Sequence, residues 1–233
     1  EVDAYQMTPQ QVKKLDLDAS NLTAYSYTEG RVGYLQINCN RVTDENVRKA
    51  LLFAMDRKAM DDAAFESDEY YSIPYTFLPT NSQFYTEDGV EKYEQDVDKA
   101  KSMLEEAGVS GLKLKLGYIS SDAVQSAQAL LIQEQLKEVG VTVELAGGDG
   151  TAIANAMKDP DNEYDMYLGG YIMGIDPDTF SSLFENDGAY NYMHYSGYDT
   201  INQLFEEGRS ELDESASCLL YTSPSPRDPK TSR

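Results

Sequence analysis

"LKLKLGYIS", Leu112–Ser120, decides the fold when it is read with the two segments that follow it. Leu112, Leu114, Leu116 and Tyr118 alternate with Lys113, Lys115 and Gly117, which predicts a strand with one apolar face. "DAVQSAQALLIQEQLKEVG", Asp122–Gly140, predicts a helix, with Asp122 at the N-cap and Gly140 as the stop. "VTVEL", Val141–Leu145, is a second strand. Parallel strands need a crossover of about this length, so the stretch reads as a βαβ unit and the fold class as α/β.

Elements of the same kind extend to either side. "DVDKAKSMLEEAG", Asp96–Gly108, predicts a helix stopped at Gly108. In "TDENVRKALLFAMDRKAM", Asp44 is a good N-cap, and Val47, Ala50, Leu51, Ala54 and Met55 fall on one helix face. Asp56 then caps a second helix through Phe65. Residues Ser67–Tyr93 lose periodicity and carry Pro74 and Pro79 among aromatics. That is too apolar for a linker, and it reads as an ordered extended segment. Nearer the start, "LTAYSY" and "RVGYLQINCN" read as the strands of a hairpin across "TEG". "VDAYQM" reads as a short strand before a helix with Thr8 as N-cap, Pro9 in its first position and Gln11 completing a capping box. On the other side come a short helix, "TAIANAMK", a strand, "YDMYLGG", a Gly- and Asp-rich turn, and a helix from about Asp199. No internal repeat is present.

Composition narrows the function. A net charge of −22 and a pI near 4.2 set the surface against nucleic acid and anionic lipid headgroups. No apolar run approaches the length of a membrane span, and no signal peptide is visible before "EVDAYQM". With no Trp and 18 Tyr, any stacking surface is built from Tyr or Phe.

The chain ends on "SCLLYTSPSPRDPKTSR", Ser217–Arg233, which turns basic after an acidic helix. Arg227, Lys230 and Arg233 against Asp228 give it a net charge of +2, leaving −24 on residues 1–216. The stretch resembles one-frame translation of a transposase adapter from shotgun sequencing libraries. Its index falls at Pro229–Thr231, and fixed adapter sequence resumes at Ser232–Arg233. It is expected to be foreign, with a different native continuation after Ala216. Cys39 then has no Cys218 to pair with, and a lone Cys in a strand reads as a small buried hydrophobe.

Motifs for chemistry are weak. "GGDGTAIANAMK" follows a strand and opens a helix, as a phosphate loop does. Its glycine spacing fits neither nucleotide fingerprint, and Asp149 repels phosphate, so a βα turn is the better reading. A single histidine, His194, and no paired Cys argue against zinc. His194 reads as an exposed loop residue, not a ligand. The acids of "KDPDNEYDM" lack the glycine and terminal Glu of a calcium loop and read as a solvated turn. No nucleophile sits in a motif, and acid pairs for glycoside hydrolysis stay open in so acidic a chain with nothing to single one out, so an enzyme has little positive support and no cofactor or metal is expected.

Three stretches together resemble a known family. "VRKALLFAMDRKAM", "DVDKAKSMLEEAG" followed by "LKLKLGYIS", and "YDMYLGGYIMGIDPDTF" resemble, in order and spacing, segments of the oligopeptide/dipeptide/nickel type (family 5) of extracellular solute-binding proteins. These are receptors of ABC importers. The resemblance implies a type II periplasmic-binding-protein α/β fold, of which this chain is a C-terminal half fragment: one lobe plus part of the crossover from the other. It implies residues 1–40 as that crossover, 41–198 as the ligand-binding lobe and 199–216 as a C-terminal helix. It implies a monomer outside the cytoplasm, either periplasmic or lipid-anchored. Its partners would be a peptide or small polar solute and the ABC permease subunits. A sensor or adhesion module on the same fold is the alternative, and an enzyme with a Gly-loop nucleotide site is a further one.

The same resemblance places ligand contacts at Tyr171, Ile172, Met173, Gly174 and Asp176, in a loop at a strand's carboxyl end. Tyr171 stands where peptide receptors of the family carry the cleft aromatic; packing on its own lobe is the other reading. Those receptors hold the ligand's α-amino group with an Asp three residues later, where this chain has Gly174. Either Asp176 takes that role, or Asp176 caps the helix beginning near Asp178 and the ligand is not held by a free amine. Arg48 and Arg57 read as structural ion-pair partners. Asn38 is not placed.

Overall fold

A computed structural model describes residues 4–5, 7, 9–17, 20–25, 27, 29–65, 67–172, 176–195 and 199–211. Its centre is the predicted βαβ unit. Strand β2 (Lys113–Ile119) and strand β3 (Thr142–Gly148) pair in parallel, from Lys113↔Thr142 to Ile119↔Gly148. The helix between them spans Ala123–Glu138 (α5 below), and Asp122 caps it by accepting from the N–H groups of Val124 and Gln125. Gly140 takes a φ of +80°, the left-handed turn that only glycine enters freely.

Chain order sets the labels. Helix α1 is Pro9–Lys13, strand β1 Arg31–Ile37, helix α2 Glu45–Phe53, helix α3 Arg57–Phe65 and helix α4 Val97–Glu106. After β3 come helix α6 (Gly150–Met157), strand β4 (Met166–Ile172), a 3-10 turn at Pro177–Phe180, and helices α7 (Ser181–Phe184) and α8 (Asp199–Ser210). Among the described residues the sheet has the order β1-β4-β2-β3. Strand β4 runs parallel to β2, and β1 runs antiparallel to β4.

Two layers bury the sheet. On one face, Ile37, Leu114, Leu116, Val143, Met166 and Leu168 pack with α5 (Ala129, Ile132, Leu136), α2 (Ala50, Leu51) and α4 (Ala100, Leu104). On the other, Val32 packs with Leu78, Phe180, Leu183 and Phe205. Ile153 and Met157 of α6 pack with Tyr167 and Tyr192. The Ser67–Tyr93 segment is irregular apart from a 3-10 turn at Asp68–Tyr70, and it is pinned down. Leu78 is fully buried, and Arg57 donates to the Pro74 carbonyl at 2.9 Å while lying 4.6 Å from the Tyr75 ring centroid.

Several expectations fail at the start of the chain. Among the described residues, Leu22–Tyr25 and Tyr27 are not in a strand, so the expected hairpin across "TEG" is not seen there. Strand β1 instead pairs with β4 over seven positions, from Arg31↔Ile172 to Ile37↔Met166. Its apolar residues point to both faces, Val32 to one layer and Leu35 and Ile37 to the other. A sheet covered by packed layers on both faces buries both. Leu22 and Tyr25 are exposed, with Tyr25 at 87%. In the predicted "VDAYQM" strand the described residues Ala4, Tyr5 and Met7 are not in a strand, and the Thr8 cap lies outside the described residues.

Strand β1 also stops earlier than predicted. Asn38 is fully buried and turns the chain: its Oδ1 accepts from Asn40 N–H at 3.0 Å and its carbonyl from Val42 N–H at 2.9 Å. Cys39 therefore sits in a turn, half-buried, with Sγ 3.7 Å from the Ile37 carbonyl. Burial raises its thiol pKa, and the nearby Arg48 opposes the shift only in part. Since the thiolate is the nucleophile, Cys39 is expected to alkylate with iodoacetamide at pH 8 several-fold more slowly than glutathione. The difference should vanish in urea; equal rates in the folded protein would count against this assignment.

Candidate functional site

The parallel strands β2, β3 and β4 end on the same side, at Ile119, Gly148 and Ile172, and β1 begins there with Arg31. This is the edge at which α/β sheets take ligands, because loops of different strands converge there. Tyr171 and Ile172 close β4 at this edge. They point to opposite faces, as neighbours on a strand must.

Tyr171 faces an aromatic bed. Its ring lies 5.9 Å from Phe180 and 5.8 Å from Tyr190, and its hydroxyl is 3.4 Å from Ser182 Oγ. Its half-buried ring thus packs on neighbouring side chains of this chain. Beneath the bed, Tyr34 crosses Gly169 so closely that a Cβ there would stand 2.5 Å from its ring. Burial first, then the phenols of Tyr167 and Tyr192, hold the Tyr34 phenol well above its ordinary pKa, with Arg31 acting the other way.

Ile172 is 59% exposed on the opposite face. Beside it are Arg31, its cross-strand partner, and then Gly170 and Gly33, also paired. Gly33 is exposed with open space above it, and the Arg31 guanidinium lies over Gly170. Among the described residues, the edge where β4 ends and β1 begins is thus a shelf with one cation, Arg31, on it. Sequence reading passed over Arg31, Gly33 and Gly170. The available signal was an arginine opening a strand in a chain with 41 acidic and 19 basic residues.

Asp176 is exposed and acts as a cap, its Oδ1 accepting from Asp178 N–H at 2.9 Å while its carbonyl accepts from Thr179 Oγ1 at 2.8 Å. Met173 and Gly174 lie outside the described residues, as does Ser217–Arg233.

The remaining candidates are structural. Arg48 donates to the carbonyls of Val42 and Thr43, and Arg57 to that of Pro74; neither closes an ion pair among the described residues, contrary to expectation. Both reach carbonyls that their short loops would otherwise leave unpaired. His194 is half-buried rather than exposed, with its Nε2 2.9 Å from the Met157 carbonyl, so that nitrogen is the donor. It helps line a polar depression of about 350 Å³ with Asn40, Lys158 and Asp187. Asp149 caps α6 through Ala152 N–H at 3.0 Å. Asp159 and Asn162 hydrogen-bond within their own turn. No three acids, His or Cys cluster as metal ligands among the described residues.

Comparison with known proteins gives a consistent picture. A profile of the bacterial extracellular solute-binding proteins, family 5 (middle), matches residues 1–192. The oligopeptide-binding protein AppA of Bacillus subtilis is 28% identical over 207 residues, which is 80% of this chain and 37% of that protein. The solved ABC transporter substrate-binding protein CtaP of Listeria monocytogenes superposes with a TM-score of 0.83 at 35% identity, covering 93% of this chain and 45% of that one. A putative peptide-binding protein, AppA, of Clostridium difficile superposes with a TM-score of 0.81 at 32% identity, covering 92% of this chain and 44% of that one. The chain spans less than half the length of these relatives.

Proposed function

Because the chain belongs to family 5 of the bacterial extracellular solute-binding proteins, we propose that it forms most of one lobe of an ABC importer's receptor. The receptor captures a peptide or similar small polar solute between two lobes outside the cytoplasm and hands it to a permease. No bond is made or broken. On this reading residues 1–40 bring the chain in from the other lobe, with β1 as the point of entry into the sheet. Residues 41–198 are the ligand lobe, and α8 (Asp199–Ser210) is its closing helix.

One observation carries the location of the site: the carboxyl ends of β2, β3 and β4 meet the amino end of β1 at a single edge. Tyr171 and Ile172 stand there, and closure of the second lobe over that edge would sequester a ligand. Asp176 is engaged with Asp178 N–H, which supports a ligand not anchored by its free amine. An amine buried without a counter-charge is costly, so such a receptor would leave the ligand's amino end near solvent or bind a blocked one.

Calorimetry on the intact receptor with peptides free or acetylated at the amino end tests this. Acetylation is expected to change affinity by less than about threefold, and Asp176→Asn by no more, because neither removes a buried charged hydrogen bond. Abolition of binding by both changes would establish the amine anchor and refute the reading.

A further inference from the structure

We propose that Arg31 anchors an anionic group of the ligand, so that the receptor selects solutes presenting a carboxylate to the β1–β4 shelf. The proposal rests on the receptor reading above and adds the ligand's charge to it.

The first observation is pairing. Among the described residues the other arginines are all held. Arg41 is bound by Asp165 at 2.7 Å, and Arg209 by Asp178 and Glu185, each at 2.7 Å. Arg48 and Arg57 reach backbone carbonyls. Arg31 alone among them has no carboxylate, carbonyl or ring partner. In a chain of net charge −22, a cation left without an acid stands out.

The second observation is placement. Arg31 opens β1 at the edge where β2, β3 and β4 end, opposite exposed Ile172. A flexible exposed arginine would ordinarily sample many rotamers. Here its guanidinium lies against the β4 backbone, and the missing side chain of Gly170 makes the room. A Cβ at position 170 would stand 2.7 Å from Nη2 and 2.8 Å from Nε. Among the described residues, the open space over Gly33 leaves the neighbouring backbone free for a ligand to approach. A guanidinium presents a planar fork of donors that matches a carboxylate, and holding it flat reduces the ordering cost on binding. A peptide's terminal carboxylate and an acidic side chain share this chemistry, and amidation separates the two.

The test is titration of the intact receptor with a randomised tetrapeptide pool lacking Asp and Glu, with free carboxyl ends or amidated, and with a second amidated pool that contains Glu. The wild type is expected to favour a carboxylate-bearing pool over the amidated neutral one by about tenfold to a hundredfold, the usual range for a charge-assisted hydrogen bond. The free-end pool winning identifies the terminal carboxylate; the Glu pool winning identifies a side chain. Arg31→Gln should bring the preferred pool down to the level of the neutral amide and leave the amide unchanged. Gly170→Ala should do the same with Arg31 still present, because the methyl group displaces the guanidinium. That result would not follow from a merely structural role. Circular dichroism and melting of both variants should match the wild type, since Arg31 is exposed.

If the wild type binds all pools equally, or if both variants discriminate as the wild type does, the Arg31 assignment is overturned and the receptor reading stands. If the wild type binds no pool, the peptide-receptor reading falls, and the Arg31 assignment falls with it.

Discussion

Phe180→Ala is expected to destabilise the lobe by about 3–5 kcal/mol, the usual cost of emptying a buried aromatic site. Phe180 is 1% exposed and sits at the centre of the bed under Tyr171. Its ring centroid is 4.9 Å from Phe77, 5.9 Å from Tyr171 and 6.5 Å from Phe184. The cavity cannot close easily, because Phe180 ends a 3-10 turn whose first residue, Pro177, is also buried. Tyr171 would lose one wall of its seat, so on the proposed receptor reading ligand affinity should fall along with stability. Phe180→Leu, which keeps most of the volume, should recover well over half of the loss. Urea unfolding of the intact receptor, with hydrogen exchange at β4 amides as the local readout, measures both. A loss below about 1 kcal/mol for the alanine variant would mean that the bed is not a packed core.

Asp165→Ala is expected to cost about 3 kcal/mol, for a different reason. Asp165 is 7% exposed and ties three strands together. Its Oδ1 accepts from Arg41 Nε and its Oδ2 from Lys115 N–H, both at 2.7 Å. Its own N–H donates to the Lys115 carbonyl, and its carbonyl accepts from Asn38 N–H. The two losses are unequal. The Arg41 side chain is 40% exposed and can return its charge to water, whereas Lys115 N–H sits in the sheet and would be orphaned. Arg41→Met keeps the bond from Lys115 N–H but leaves the Asp165 carboxylate, 10% exposed, without its cation, so it should cost about 2 kcal/mol, less than Asp165→Ala. A loss as large as that of Asp165→Ala would show that the ion pair, not the backbone hydrogen bond, is the tie. Asp165→Asn should fall between, since its oxygen can still accept from Lys115 N–H while its amide meets Arg41.

Local patterns in the sequence carried the helices and the parallel pair because each of those signals is complete within a short window. Asp44, Asp56, Asp96, Asp122 and Asp149 all cap the helices that follow them, and Gly108 and Gly140 take the positive φ that ends a helix. The alternation in Leu112–Tyr118 needed only the pleat of a strand to be read. The family resemblance rested on such windows too, since order and spacing are linear properties, and the family match over residues 1–192 agrees with it.

Pairing partners are not linear properties. The residues around "TEG" offered β1 a hairpin, yet it took β4, about 130 residues away, because a sheet covered on both faces buries Val32 and Leu35 at once. The same cause hid the site. Arg31 and Gly170 are unremarkable in the sequence, and they meet only because the register Arg31↔Ile172 brings the start of one strand to the end of another. The sequence by itself determined the helices, the βαβ centre and the family. The long-range register decided which side chains share the candidate site, since burial on both faces of a sheet is a property of the folded layers and of no single segment.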